Sequence, residues 1–278
     1  MNKYSVSYNV FDGVELLEDS INHVRDLVDH ISIIFQTVSY WGTKLSKEEI
    51  DIVESLKERN LVDDLIYFNE NIDVRLIETY KRNLGKKIAK ERGCTHYMTM
   101  DCDEFYTKDE FEKMIEYHEK NPTHVSYIPI DSYYKDTNYM IDNSTYMDGD
   151  LYVSGFFPVI NEIFLGYQLN IKVDPTRKPN ISDKSKMKMW KKDEIKMHHL
   201  CYVRANIYQK VYNSYSKFRY KNNLDRFEKI KYNYENYETT KKALSADGDE
   251  YNIIELDKPE IILEHYYNNL KILKNNKS

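Results

Sequence analysis

The residues best suited to chemistry lie in one stretch, Thr95 to Tyr106, which reads Thr-His-Tyr-Met-Thr-Met-Asp-Cys-Asp-Glu-Phe-Tyr. Its first half is apolar and β-prone, the pattern of a buried strand. Its end carries Asp101 and Asp103, one residue apart, with no glycine or proline to make a plain turn. In open α/β sheets ligands bind beyond the carboxyl ends of the strands. A hard cation such as Mg²⁺ takes one or two carboxylates together with phosphate oxygens and water. The pair therefore suits a metal bridging the protein and a nucleotide diphosphate. Asp-x-Asp also arises by chance. Asp148/Asp150 and Asp247/Asp249 repeat it as Asp-Gly-Asp, which is ordinary turn chemistry, and only the first pair follows a strand-like run. Spacing alone leaves both readings of that pair open.

Two further stretches carry charge or ligating groups. Residues 172–196 hold nine basic side chains against four acidic ones. This is either a solvated loop or an electropositive flap that meets phosphates or an anionic surface, a peripheral membrane contact included. Next comes Lys196-Met197-His198-His199-Leu200-Cys201-Tyr202-Val203-Arg204, which is strand-like, so His198 and His199 point to opposite faces and at most one enters a given site. A lone histidine is more often a satisfied structural residue than a ligand.

The elements that must position these groups follow from periodicity. Tyr4 to Val10 is a first strand and Phe11-Asp12-Gly13 a turn. Glu15 to Asp29 has helical apolar spacing, His30 to Val38 is a buried strand, and Ser46 to Asn60 is an amphipathic helix with Ser46 and Glu49 in capping-box register. Asp64 to Phe68 is a third strand. Asp73 to Arg92 is a long basic helix closed by Gly93 in the left-handed conformation, and the strand ending at Asp101 follows. This βαβ alternation predicts an α/β fold with a doubly wound, mostly parallel sheet. Right-handed crossovers would then bring Asp12, Gln36, Asn69 and Asp101 to one rim. Thr107 caps a helix over Lys108 to Lys120, and Thr123 to Ile130 is a strand. Asp131 to Tyr146, rich in Tyr, Asp and Asn, reads as an exposed recognition segment. Leu151 to Pro158 and Glu162 to Val173 read as antiparallel strands. Residues 205–245 read as helical, and Glu260 to Leu273 as a docked amphipathic helix. No sharp boundary appears, so 1–106 reads as a nucleotide-binding half and 107–278 as an extension of the same sheet that builds an acceptor side.

Composition narrows the classes. Of 278 residues 41% are hydrophobic and 26 are Tyr, enough for a packed core. A net charge of −6 gives no general case for nucleic-acid binding, although an enzyme decorating DNA bases stays open. No 18-residue apolar run exists, and the first residues lack a signal-peptide apolar region. Three scattered cysteines suggest a reducing compartment, hence a cytoplasmic protein without disulfides. Neither Gly-x-Gly-x-x-Gly nor a P-loop is present, which disfavours dinucleotide enzymes and P-loop NTPases.

Taken together, Tyr8-Asn9-Val10-Phe11-Asp12-Gly13-Val14-Glu15, Gln36-Thr37-Val38-Ser39, Lys81-Arg82-Asn83-Leu84-Gly85-Lys86, Met100-Asp101-Cys102-Asp103-Glu104-Phe105 and the histidine stretch at 198–204 resemble a bacterial or phage-type nucleotide-sugar glycosyltransferase of the GT-A fold, similar to glycosyltransferase family 2. The resemblance covers the first 110 residues best. It implies a nucleotide-sugar donor, a UDP-sugar first, and Mn²⁺ or Mg²⁺. Asp101 would face the ribose or metal and Asp103 the metal. His199, with His198 as the runner-up, would complete the metal shell. Asn9, Phe11 and Asp12 would meet the base, and Gln36, Arg82, Asn83 and Lys86 would line the donor pocket. The activity implied is hexosyl transfer to a glycan or glycoconjugate, as in polysaccharide biosynthesis. The chain departs from common inverting relatives in lacking a clear Glu-Asp pair downstream, which leaves Asp131, Asp150 and Glu162 as candidate bases. A metal-dependent nucleotidyltransferase and a non-catalytic nucleotide- or sugar-binding module are the alternatives. The first usually wants a basic, glycine-rich loop after the first strand, and Asn9 to Glu15 has one glycine and no base.

Overall fold

The computed structural model describes residues 2–275 apart from 71, 74–75, 143–150, 165–171, 214–223 and 245–249. Asp148, Asp150, Asp247, Asp249 and Tyr146 lie outside the described residues.

The first half alternates as predicted. Tyr4–Val10 (β1), Val14–Val24 (α1), His30–Phe35 (β2), Lys47–Glu58 (α2), Asp64–Tyr67 (β3), Ile77–Glu91 (α3) and His96–Asp101 (β4) follow one another. β1 pairs parallel with both β2 and β4, and β2 with β3. The sheet runs β3-β2-β1-β4, the Rossmann-like order expected of the fold class, and the later Phe157–Pro158 closes its edge antiparallel to β4. β1 and β2 are buried along their whole length, because helices cover both faces. On one face Val6, Tyr8, Ile31 and Ile33 share a core with Leu17, Ile21, Val53 and Leu56. On the other, Ile77, Leu84 and Ile88 of α3 pack with Ile34 and Phe68. Each fully buried aliphatic contributes about 1.5–3 kcal/mol. Ser46 and Glu49 form the predicted capping box on α2, and Gly93 lies at φ 77 past α3. The helices predicted to start at Glu15 and end at Asp29, and to start at Asp73, are shorter, ending in a 3₁₀ turn at Arg25–Leu27 and beginning at Ile77.

The second half differs more. Glu104–Phe105 (β5), Lys108–Lys120 (α4, with a Thr107–Glu110 capping box), Val125–Tyr134 (β6), Asp136–Ile141 (β7), Tyr152–Ser154 (β8), Phe157–Pro158 (β9), Met187–Met189 (β10) and Met197–Tyr202 (β11) lead into Ile207–Asn213 (α5). Leu224–Glu235 (α6), Tyr237–Thr240 (α7), Ala243–Leu244 (β12), Glu250–Tyr251 (β13), Ile253–Glu255 (β14) and Tyr266–Asn275 (α8) complete the chain. These strands do not extend the first sheet. They form a second one, β14-β7-β6-β11-β5, with β8 and β10 also on β6, while β12 pairs with β13 alone; among the described residues only the two-residue β9 joins β4. β6 finds partners on both edges within this later chain, and Asp131–Tyr134 is the second half of that strand. The start of the exposed recognition segment expected over Asp131 to Tyr146 is therefore core, with Tyr133 and Tyr134 fully buried, while Asp136–Ile141 is largely half-buried. Of the strand expected over Glu162 to Val173, the described residues show only isolated bridges, Ile163 to Pro179 and Tyr152 to Val173. α8 starts six residues later than predicted and docks on α1, where the Asp19 carboxylate accepts the backbone N–H groups of Glu264, His265 and Tyr266. Among the described residues no helix is long and apolar enough to cross a membrane.

Candidate functional site

A cavity of about 600 Å³ opens at the carboxyl ends of β1, β2 and β4. Parallel pairing sets Asn9 of β1 beside Asp101 of β4, and the β1–α1 turn brings Phe11 and Asp12 next to them. Gln36 follows β2. α3 lies close against β1 and β4: a Cβ at Gly85 would come within 2.7 Å of both the Ser7 Cβ and the Tyr97 hydroxyl, so glycine sets this approach. The approach carries Arg82 under Asp101, where it also donates to the Thr99 hydroxyl at 2.9 Å.

Of the residues expected from sequence, Asn9, Phe11, Asp12, Gln36, Arg82, Asp101 and Asp103 line this cavity together. Asn9 is buried, and neither of its amide atoms has a partner among the described residues. Asn83 and Lys86 do not line it. Asn83 grips the backbone of Ile163, and Lys86 binds the Asn161 carbonyl and Glu162 at 2.6 Å. The two candidate bases within the described residues are elsewhere as well. Glu162 is half exposed on Lys86, and Asp131 is paired with Lys192 at 3.0 Å, because β6 sits in the second sheet rather than beside β4.

The two histidines do diverge. His198 turns into the core, between the Tyr133 hydroxyl at 2.8 Å and Glu110 at 3.1 Å. His199 faces Asp103, with Nε2 at 3.7 Å from the carboxylate. Burial opposes charge on His199, yet Cys201 and Asp103 push its imidazole up to about 10.

Sequence reasoning missed the cations that hold the acidic pair. Arg177 is buried and pairs at 2.5 Å with both Asp101 and Glu104. It was one basic residue among nine in 172–196; the distinguishing signal is the turn Asp174-Pro175-Thr176-Arg177, in which Thr176 N–H and hydroxyl both donate to Asp174 at 2.8 Å. Asp174 to Thr176 form cavity wall, so this part of the segment is a fixture of the site rather than a free flap. Asp103 pairs with Arg204, at the end of the histidine stretch, and with Lys210 of α5 at 3.0 Å. Burial works against ionising Asp103, but Lys210 and Arg204 hold its carboxyl well below the usual range. Burial likewise opposes ionisation of Asp101, and Arg177 with Arg82 lowers it. At the other end of the cavity Lys81 joins Gln36 at 3.2 Å and Glu78 at 2.9 Å.

Among the described residues no three His, Cys, Asp or Glu side chains converge as a ready metal site. The chemistry of the donor set nevertheless fits a divalent ion that arrives with a diphosphate. Asp103 supplies one ligating group, Asp101 lies on the same wall, and phosphate oxygens would complete such a shell; His199 stands against Asp103 but off the cavity wall and would ligate only on giving up its proton. The cavity wall has five carboxylates, Asp12, Glu78, Asp101, Asp103 and Asp174, against four cations, Lys81, Arg82, Arg204 and Lys210. Arg177, just behind this wall on Asp101 and Asp174, brings the cations to five, so the acids are matched before a diphosphate adds its own negative charge.

No protein-family model matches the chain, and no curated protein matches it. Solved structures show similarity at low identity. S. aureus TarS 1-349 in complex with UDP-GlcNAc is 14% identical over 47% of this chain, which spans only 35% of that one, at a TM-score of 0.35. S. aureus TarS 1-349 is 12% identical over 86% of this chain and 73% of that one, at a TM-score of 0.45. GalNAc-T7 with UDP, GalNAc and Mn²⁺ is 16% identical over 48% of this chain and 24% of that one, at a TM-score of 0.37.

Proposed function

We propose that this chain is a glycosyltransferase that moves a sugar from a nucleoside-diphosphate donor, a UDP-sugar in the first instance, to a glycan or glycoconjugate acceptor. The observation that carries the reading is the cavity at the rim of the parallel sheet. It has an unpartnered buried amide, Asn9, beside Asp101, with Arg204 and Lys210 on Asp103 and Gln36 with Lys81 towards the far end. Such a rim is where open α/β sheets take nucleotides. Asn9 and Gln36 offer donors and acceptors to a base, and Phe11 and Tyr40 offer apolar faces. Arg82, Arg204 and Lys210 can attract the diphosphate and stabilise charge that grows on it as the sugar leaves. Asp103 and His199, with Asp101, would hold Mn²⁺ or Mg²⁺, which supplies the further positive charge that the leaving diphosphate needs. Arg177 fixes Asp101 and Glu104 through paired contacts, so the acidic end of β4 is already in place before ligand enters.

A thermal-shift screen of nucleotide sugars, with and without Mn²⁺, tests this reading through binding linkage. One donor base should stabilise the protein, and Mn²⁺ should enlarge that shift. Absence of a shift with every nucleotide sugar in both arms would overturn it.

A further inference from the structure

The donor cavity has a neighbour. A second cavity of about 280 Å³ lies between the start of α1, the start of α2 and α5, and it shares Asp12, Arg204 and Lys210 with the first. Its remaining wall is polar, with Glu15, Glu48, Glu49 and Lys44 beside Ser46, Asn206 and Gln209, the last three already tied to one another or to Glu49. If the diphosphate lies on Arg204 and Lys210, the group attached to it has reached the wall common to both cavities.

Asp12 differs from every other carboxylate on the donor cavity. Glu78 is paired with Lys81, Asp101 with Arg82 and Arg177, Asp103 with Arg204 and Lys210, and Asp174 with Thr176 and Arg177. Asp12 makes no side-chain hydrogen bond or ion pair among the described residues, although its backbone is held. Its carbonyl accepts the Cys102 thiol at 2.8 Å, and Gly13 beside it starts α1. A carboxylate on a fixed turn with its lone pairs uncommitted is the arrangement a general base requires.

We infer that Asp12 is the catalytic base of sugar transfer and that the second cavity receives the hydroxyl-bearing acceptor. This rests on the donor reading above. The acceptor hydroxyl gives its proton to an Asp12 oxygen while its own oxygen bonds to the anomeric carbon. The bond from that carbon to the diphosphate oxygen breaks, and its electron pair leaves with the nucleoside diphosphate. One displacement of this kind inverts the anomeric configuration.

The test uses Asp12→Ala and Asp174→Ala in the full chain, with the best donor from the thermal-shift screen. Three readouts are compared: the donor-induced shift, release of nucleoside diphosphate in water, and the same release with sodium azide, an anionic nucleophile that has no proton to lose. Asp12→Ala should keep the shift, lose turnover in water by about 100-fold or more, and regain it with azide as a glycosyl azide of inverted configuration. Loss of the shift in Asp12→Ala would make Asp12 a donor-binding residue and overturn the inference. So would azide rescue of Asp174→Ala alone, or a product of retained configuration. If wild type shows no shift with any nucleotide sugar, the donor reading itself falls, and this inference with it.

Discussion

Gly13 and Arg204 occupy adjoining space: a Cβ built on Gly13 would fall inside the Arg204 guanidinium, whose other side pairs with Asp103. The residue that turns β1 into α1 thus sets how close Arg204, 191 residues later in sequence, comes to the acidic pair. Gly13 also sits at φ 75, where L side chains are strained.

Gly13→Ala should therefore act twice. The left-handed backbone costs on the order of 1–3 kcal/mol, and displacing Arg204 loosens Asp103. We expect a Tm lower by several degrees, at roughly 2–4 °C per kcal/mol for a chain of this size, together with a weaker nucleotide-induced shift. An unchanged Tm with an unchanged shift would mean that Arg204 does not pack there.

Asp103→Asn leaves the buried Arg204 without its counter-charge and takes one from Lys210. Breaking a buried pair in this way costs about 3–5 kcal/mol. The melt should fall by on the order of 10 °C, and the Mn²⁺-dependent part of the donor shift should vanish. A variant whose donor shift still grows with Mn²⁺ would remove Asp103 from the proposed metal set.

His199 should make stability depend on pH. His199 is raised to about 10 in the folded chain against 6.5 for an unperturbed imidazole. A raised value means that the folded state favours the proton. The resulting stabilisation is complete below about pH 6.5 and is lost as pH climbs towards 10. The difference in Tm between wild type and His199→Gln should shrink across that window. A difference that stays constant from pH 6 to 10 would show that His199 is not held protonated. His198→Ala should lower Tm, because Tyr133 and Glu110 both lose a buried partner.

Tyr133→Ala and Tyr134→Ala should each destabilise by about 3–5 kcal/mol, as for other large aromatic truncations in a core. The donor-induced shift should persist at temperatures where the variants stay folded. Unchanged melts accompanied by lost transfer would return these tyrosines to an acceptor surface.

The sequence by itself determined the local elements and the rim they share. Period-2 and period-3.6 patterns with strong punctuation, the Ser46 and Thr107 capping boxes and Gly93, depend on neighbours in the chain, so they can be read without contacts. Parallel order then placed Asp12, Gln36 and Asp101 at one edge, since crossover handedness leaves little choice. Alternation along a strand separated His198 from His199. Tertiary structure decided which polar groups face one another. Arg177 on Asp101 and Glu104, Arg204 and Lys210 on Asp103, and Asp131 away from the cavity on Lys192 are pairings between segments far apart in the chain. Charge patterns carry no direction, and a basic run cannot say which of its members will be buried. Tyr133 and Tyr134 make the same point for aromatics: a tyrosine suits a sugar face and a core alike, and only the partners of β6 chose the core.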